Sequence, residues 1–334
     1  MCAFKFKFFL ILSLDIVFCS AQSSKYQDLQ LLFVYGNDTT EFEPFYFNQT
    51  SQLLSHPNYD NNRTTIIYGY GFTENYLRKS TQTIVNAYIQ RGNHNIVVIE
   101  WSKYSGGNYY FEAIPNARNV GDEVGKQLWK MNGIGFNLDN FQLLGHSLGG
   151  QLIGYIGRAV YKYSSNSYKM PIIIALDPAG PLLYGVHAII NKPLNKDDAK
   201  IVQVIHTDST FFGAAEKSGT VDFWPNGGKN QPGCPRPNLD YNSEENFCSH
   251  RRSWMYFAES VRNMKSKTFY SVPCSTWQDF VTQTCPENVT TSQTFMGIDT
   301  SRNLTGDFFL QTNAEEPYNR GVYGIFYDET FSEV

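Results

Sequence analysis

The chain has 334 residues, of which 42% are hydrophobic, 16% aromatic and 17% charged, which excludes a disordered or low-complexity chain and suffices for one large core or two small ones. Lys plus Arg number 27 and Asp plus Glu 31, a formal net charge of −4, so no basic footprint is offered to phosphate backbones and no nucleic-acid partner is expected. The charged fraction lies below the roughly 25% of ordinary globular domains, and the abundance of Tyr and Phe gives a polar-aromatic balance that looks secreted.

The first residues agree with export. Lys5 and Lys7 precede the apolar run Phe8 to Leu12, and the small residues Ser20 and Ala21 follow, so residues 1–21 are expected to be a secretory signal peptide cleaved after Ala21. The run is too short to span a bilayer, and Asp15 interrupts it. Beyond it the segment is polar and aromatic. Near-continuous apolar runs then predict buried strands at Thr65–Tyr68, Ile96–Glu100, Phe141–Leu144, Ile172–Leu176 and Ile201–Ile205. Between them, helical spacing marks Val120 to Met131 and Leu148 to Tyr161, the latter with Leu148, Leu152, Ile153, Ile156 and Val160 on one side. The alternation implies an α/β fold with a mostly parallel sheet covered on both faces. Lys229 to Asn246 is rich in Pro, Asn and Gly and reads as loop, and Gly306 to Leu310 reads as a further strand. Residues 22–334 are therefore expected to form a single domain.

Four cysteines remain beyond the signal: Cys234, Cys248, Cys274 and Cys285. Their even number suits disulfides, and of the three possible pairings the sequential one closes two short loops. With no Cys-x-x-Cys pair, a zinc site is not expected. Asn37, Asn48, Asn62, Asn288 and Asn303 each begin an Asn-x-Ser/Thr sequon and are glycosylation candidates in an exported chain.

Gly145-His146-Ser147-Leu148-Gly149 follows the Phe141–Leu144 run directly and opens the Leu148–Tyr161 helix. This is the Gly-x-Ser-x-Gly pattern in the strand–turn–helix context of the α/β-hydrolase nucleophile elbow, where a tight turn lifts the serine hydroxyl clear of the sheet. A serine needs a base and an orienting acid, which this fold supplies downstream in the order Ser, Asp, His. Asp177 is the candidate acid, since it ends the Ile172–Leu176 strand and the following Pro178-Ala179-Gly180-Pro181 leaves it at the carboxyl edge of the sheet. Of the six histidines, His56 and His94 precede the serine and His146 adjoins it, leaving His187, His206 and His250. His206 ends the Ile201–Ile205 strand. His250 follows Cys248 in what reads as a loop held by a disulfide, a good place for an oriented base. The residues alone favour His250 and leave His206 open.

Five ordered blocks then carry a resemblance: Gly145 to Gly150, Leu176 to Pro181, Val204 to Asp208, Asp222 to Gly228 and Cys248 to His250. Together, over about Thr64 to Gly321, they resemble the signature blocks of the pancreatic lipase family. The resemblance implies a serine hydrolase of lipid carboxylic esters with Ser147, Asp177 and His250 as its triad and His206 as a structural histidine. It implies an oxyanion hole from the backbone N–H groups of Leu148 and, reading Tyr70-Gly71-Phe72 as the family's His-Gly-aromatic, Phe72; in the alternative register Tyr68-Gly69-Tyr70 the donor is Tyr70. Tyrosine replaces the family's histidine in either register, which a backbone donor tolerates. The family's lid corresponds to Pro235–Phe247 and a second surface loop to Ser209–Val221. Both are short, as in the secreted phospholipase A1 branch and related arthropod lipases. The expected activity is therefore phospholipase A1, at a membrane or lipid surface, with triacylglycerol or general lipid ester hydrolysis as the alternative and a yolk-protein-like lipid-binding role as the non-catalytic rival. No cofactor is required, and with no C-terminal β-sandwich domain expected, neither is a colipase. Where relatives bind calcium, Asp198 matches one ligand but Asn195 and Ile190 replace two carboxylates, so no metal is assigned.

Overall fold

A computed structural model describes residues 25–238, 240, 243–264, 267–286 and 294–331. The expected signal segment and the Asn288 sequon lie outside the described residues. Among those described, eleven strands form one sheet in the order β10-β9-β11-β8-β7-β6-β5-β3-β4-β1-β2. The strands are β1 (Gln30–Val34), β2 (Phe42–Tyr46), β3 (Thr64–Gly69), β4 (His94–Glu100), β5 (Phe141–His146), β6 (Ile172–Leu176), β7 (Ile201–Ile205), β8 (Val221–Pro225), β9 (Tyr270–Pro273), β10 (Thr294–Phe295) and β11 (Gly306–Leu310).

The central run from β4 to β11 is parallel, and the antiparallel pairs β1–β2 and β9–β10 close its two sides. Parallel strands sit with both faces covered, which accounts for β6 being buried at every position. The helix Ile114–Gly133 packs beside Leu148–Tyr163, and Lys79–Arg91 packs beside Cys248–Arg262. This is the α/β-hydrolase arrangement expected. One main core unites the sheet and these helices, and a smaller one gathers Trp224, Val272, Phe280 and Phe309 around Cys274. No described helix is long and apolar enough to cross a membrane.

Two expectations change. The segment before Thr64 is not merely polar chain: it supplies β1, whose last four residues are buried, and β2, an outer strand that tolerates Pro44. His250 does not lie in a loop; it occupies the first turn of the helix Cys248–Arg262, because the apolar face Trp254, Phe257, Ala258 and Val261 seats that segment in the core. The cysteines form the sequential disulfides Cys234–Cys248 and Cys274–Cys285. The first ties the start of the His250 helix to the loop before it. Asn37, Asn48, Asn62 and Asn303 are exposed.

Candidate active site

The in-register ladder of parallel strands determines which side chains meet at the carboxyl edge. His146 pairs with Leu176 and Leu176 with Ile205, so Ser147, Asp177 and His206 leave three adjacent strands side by side. The backbone continues the ladder one step further, with Ser147 N–H donating to Leu176 O at 3.0 Å and Asp177 N–H to Ile205 O at 2.7 Å. Ser147 has φ 56° and ψ −124°, a strained conformation for a residue with a Cβ that stands at the start of the Leu148–Tyr163 helix. Such a turn is possible because Gly149 lets the helix press on the end of β3: a Cβ there would lie 2.0 Å from Gly69 O and 2.5 Å from Tyr70 O.

Asp177 is fully buried and uses both oxygens. Oδ1 accepts the N–H groups of Thr207 at 2.7 Å and Asp208 at 3.1 Å; Oδ2 is 2.5 Å from His250 Nδ1. Two backbone donors on one side lock the carboxylate so that its other oxygen orients the imidazole. His250 is also buried, and burial lowers its pKa below the usual value, against the opposing effect of the Asp177 hydrogen bond. The imidazole is thus held neutral at neutral pH, the state a general base requires. Ser147 remains partly exposed.

His206, the alternative base, is spent elsewhere. Its Nε2 is 2.8 Å from Asp222 Oδ1, its Nδ1 is 3.1 Å from Ala214 O, and its ring stacks on Trp224 at 3.8 Å. With both nitrogens engaged it braces β7 against β8. His187 contacts the Tyr110 ring at the surface. Asp198 accepts a bidentate fork from Arg158 at 2.7 and 2.8 Å, and Asn195 donates its backbone N–H to the same carboxylate, so a guanidinium occupies the position weighed for calcium.

Tyr70 turns its phenol away from Ser147, donating to Glu100 Oε1 at 2.9 Å and accepting the Trp101 N–H at 2.8 Å. Gly71 passes directly over the serine, so close that a Cβ would come within 3.0 Å of Ser147 Cβ. No described residue accepts from the N–H of Phe72 or Leu148.

Three features escaped the sequence. Asp208 is buried beside Asp177 and His250, with Oδ2 accepting the Phe212 N–H and Oδ1 unpartnered; burial first, then the Asp177 charge, push its carboxyl far above the usual carboxylate range. Its presence in the His-Thr-Asp block was the available signal. Phe212 and Phe247, one from each short loop, stack at 4.3 Å, and Phe212 contacts the His250 ring at 5.6 Å. Glu74 holds the Gly71 turn, and nothing in its local pattern announced it.

Residues 16–318 match a family model described as Lipase. The chain is 33% identical over 204 residues to Lipase member H of Xenopus tropicalis, an alignment covering 61% of this chain and 42% of that protein. It is 30% identical over 245 residues to Lipase member H of Danio rerio, covering 70% and 51%. It is 33% identical over 223 residues to Phospholipase A1 of Vespula maculifrons, covering 63% and 71%. The chain thus spans about half the length of the Lipase member H proteins it matches.

Proposed function

Because the chain belongs to the lipase family, we propose that it is a serine hydrolase of lipid carboxylic esters, acting as a phospholipase A1 at the sn-1 ester. The observation that carries the proposal is the Asp177–His250 hydrogen bond formed at the strand ends beside the Ser147 turn. Ser147 Oγ attacks the acyl carbonyl while His250 Nε2 takes its proton, and Asp177 holds the imidazole in the tautomer that leaves Nε2 free to accept. The N–H groups of Leu148 and Phe72 bind the tetrahedral oxyanion, favoured also by the helix N-terminus. Collapse expels the alcohol with the proton from His250, and water, deprotonated by the same imidazole, releases the fatty acid from the acyl-serine. No cofactor enters this sequence.

The unpartnered Phe72 amide and the outward turn of the Tyr70 phenol support the Tyr70-Gly71-Phe72 register for the second donor. Action at a lipid surface is supported by apolar side chains left in water on neighbouring segments: Phe111 is 75%, Val186 82% and Ile189 83% exposed. Two disulfides suit an oxidising compartment and support secretion.

The test is incubation with a phosphatidylcholine carrying different acyl chains at sn-1 and sn-2, and in parallel with a long-chain triacylglycerol, with mass identification of the released acid. Release of the sn-1 acid is expected. Release from triacylglycerol alone would replace the phospholipid assignment, and no release by folded protein from either would overturn both substrate assignments.

Gly149→Ala gives a second expectation. With a Cβ 2.0 Å from Gly69 O, the end of β3 must retreat and take the Phe72 donor with it. Stability should fall by about 1–3 kcal/mol in thermal unfolding, and kcat at least about tenfold. Wild-type kcat in that variant would show that the donor does not depend on this contact.

A further inference from the structure

We infer that Glu74 is a positioning residue for the oxyanion hole: it withdraws the Gly71 amide and leaves the Phe72 amide as the donor facing Ser147. The inference rests on the hydrolase reading above and deepens it. Glu74 Oε2 accepts the Gly71 N–H at 2.8 Å, and the Glu74 N–H returns to Gly71 O at 3.3 Å, so residues 71–74 form a turn closed by the side chain at its own end. Ser80 Oγ donates to Oε1 at 2.6 Å and holds the carboxylate from the start of the helix Lys79–Arg91. From the other side, Thr73 N–H donates to Ser105 O at 2.9 Å and Ser105 Oγ to Glu74 O at 3.1 Å. The turn is anchored at each end, as a donor that must not reorganise during reaction requires.

His146, the neighbour of the nucleophile, places Nδ1 3.7 Å from Glu74 Oε2, at ion-pair distance, and its ring lies 4.7 Å from that of His250. Burial opposes ionisation of Glu74, but His146, Ser80 and the Gly71 N–H outweigh it and hold its carboxyl at about 2, so the acceptor stays ionised throughout the working pH range. A carboxylate three residues beyond Gly71 thereby supports a loop in which tyrosine stands in place of the family's histidine.

Glu74→Ala should lower kcat by about ten- to a hundredfold, less than the 10²–10³ for outright loss of one oxyanion donor, with KM within about twofold. The inhibition constant of an alkylboronic acid, whose tetrahedral adduct on Ser147 places an oxygen in the same hole, should rise by the same factor. Glu74→Gln should recover most of the loss, since its amide oxygen can accept the Gly71 N–H. Active-site titration with a phosphonate counts the competent molecules in each sample. The inference is overturned if kcat and boronate affinity per titrated site stay at wild-type values in Glu74→Ala, or if Gln is as damaging as Ala. Failure of the hydrolase reading looks different: wild-type protein would then neither cleave ester nor react with the phosphonate, and the inference would fall with it.

Discussion

Ser147→Ala should lower kcat on a phospholipid or other ester substrate by on the order of 10⁶, while the protein stays folded. The effect is so large because in the proposed mechanism the hydroxyl forms the covalent intermediate, and His250 and Asp177 have nothing to activate without it. The fold should not suffer. No described residue hydrogen-bonds to Ser147 Oγ, and the strained φ of 56° belongs to the turn and persists with alanine. Thermal stability should therefore stay within about 0.5 kcal/mol of wild type or exceed it, as expected where a strained site serves catalysis. Initial rates with active-site titration, together with thermal unfolding, check both parts. A variant that retains more than a hundredth of wild-type turnover would remove Ser147 as nucleophile.

Asp177→Asn should lower kcat by about 10⁴ with KM nearly unchanged. The direction follows from the hydrogen bonds. Thr207 and Asp208 direct two N–H groups at Oδ1, so the asparagine must place its oxygen there and its NH₂ against His250 Nδ1. Nδ1 then accepts, the proton moves to Nε2, and the imidazole presents a donor to the serine where a base is needed. Loss of the carboxylate also removes the hydrogen bond that raises the pKa of His250, leaving burial, which lowers it, less opposed. In the wild type, activity should fall as pH drops through a His250 pKa lying below the ordinary 6.5, because the base is lost on protonation. In the variant that acid limb should move lower still. Activity within tenfold of wild type would transfer the orienting role to Asp208, the other carboxylate of the buried cluster.

Asp208 shows how tightly this edge of the sheet is packed. Asp177 and Asp208 lie together in one buried site, with both Asp177 oxygens taken by Thr207, Asp208 and His250 and Asp208 Oδ1 left unpartnered. Its raised pKa keeps the second carboxyl from ionising as readily as an exposed one would.

Much of the core was legible because its signals are local. β6, β7 and β11 run as read, and the β5 turn into the helix Leu148–Tyr163 stands where the glycines and the apolar period put it. β8 carries most of the Asp222 to Gly228 block, and Asp222 and Pro225 are poor local signals of a buried strand. It is buried at all five positions because His206, Ser218 and Gly219 satisfy the Asp222 carboxylate. The His250 helix was obscured by its paired arginines. Arg252 is buried, donating to Pro232 O and Ala314 O, partners that no period in the helix itself reveals.

The turn at Ser147, the strand that leads into Asp177 and the family could be read from the chain alone, because each is written in a few contiguous residues whose backbone preferences and apolar spacing act over one or two turns of chain. Tertiary structure decided the rest. Asp177 and His250 are 73 residues apart and meet only because the strand ladder and the helix after Cys248 converge on one edge. That His206 has both ring nitrogens engaged while His250 faces Asp177 is visible only in the packed sheet, and the role inferred for Glu74 rests on which amide its turn withdraws. Hydrogen bonds between distant segments depend on how the whole chain packs, and no local propensity encodes that.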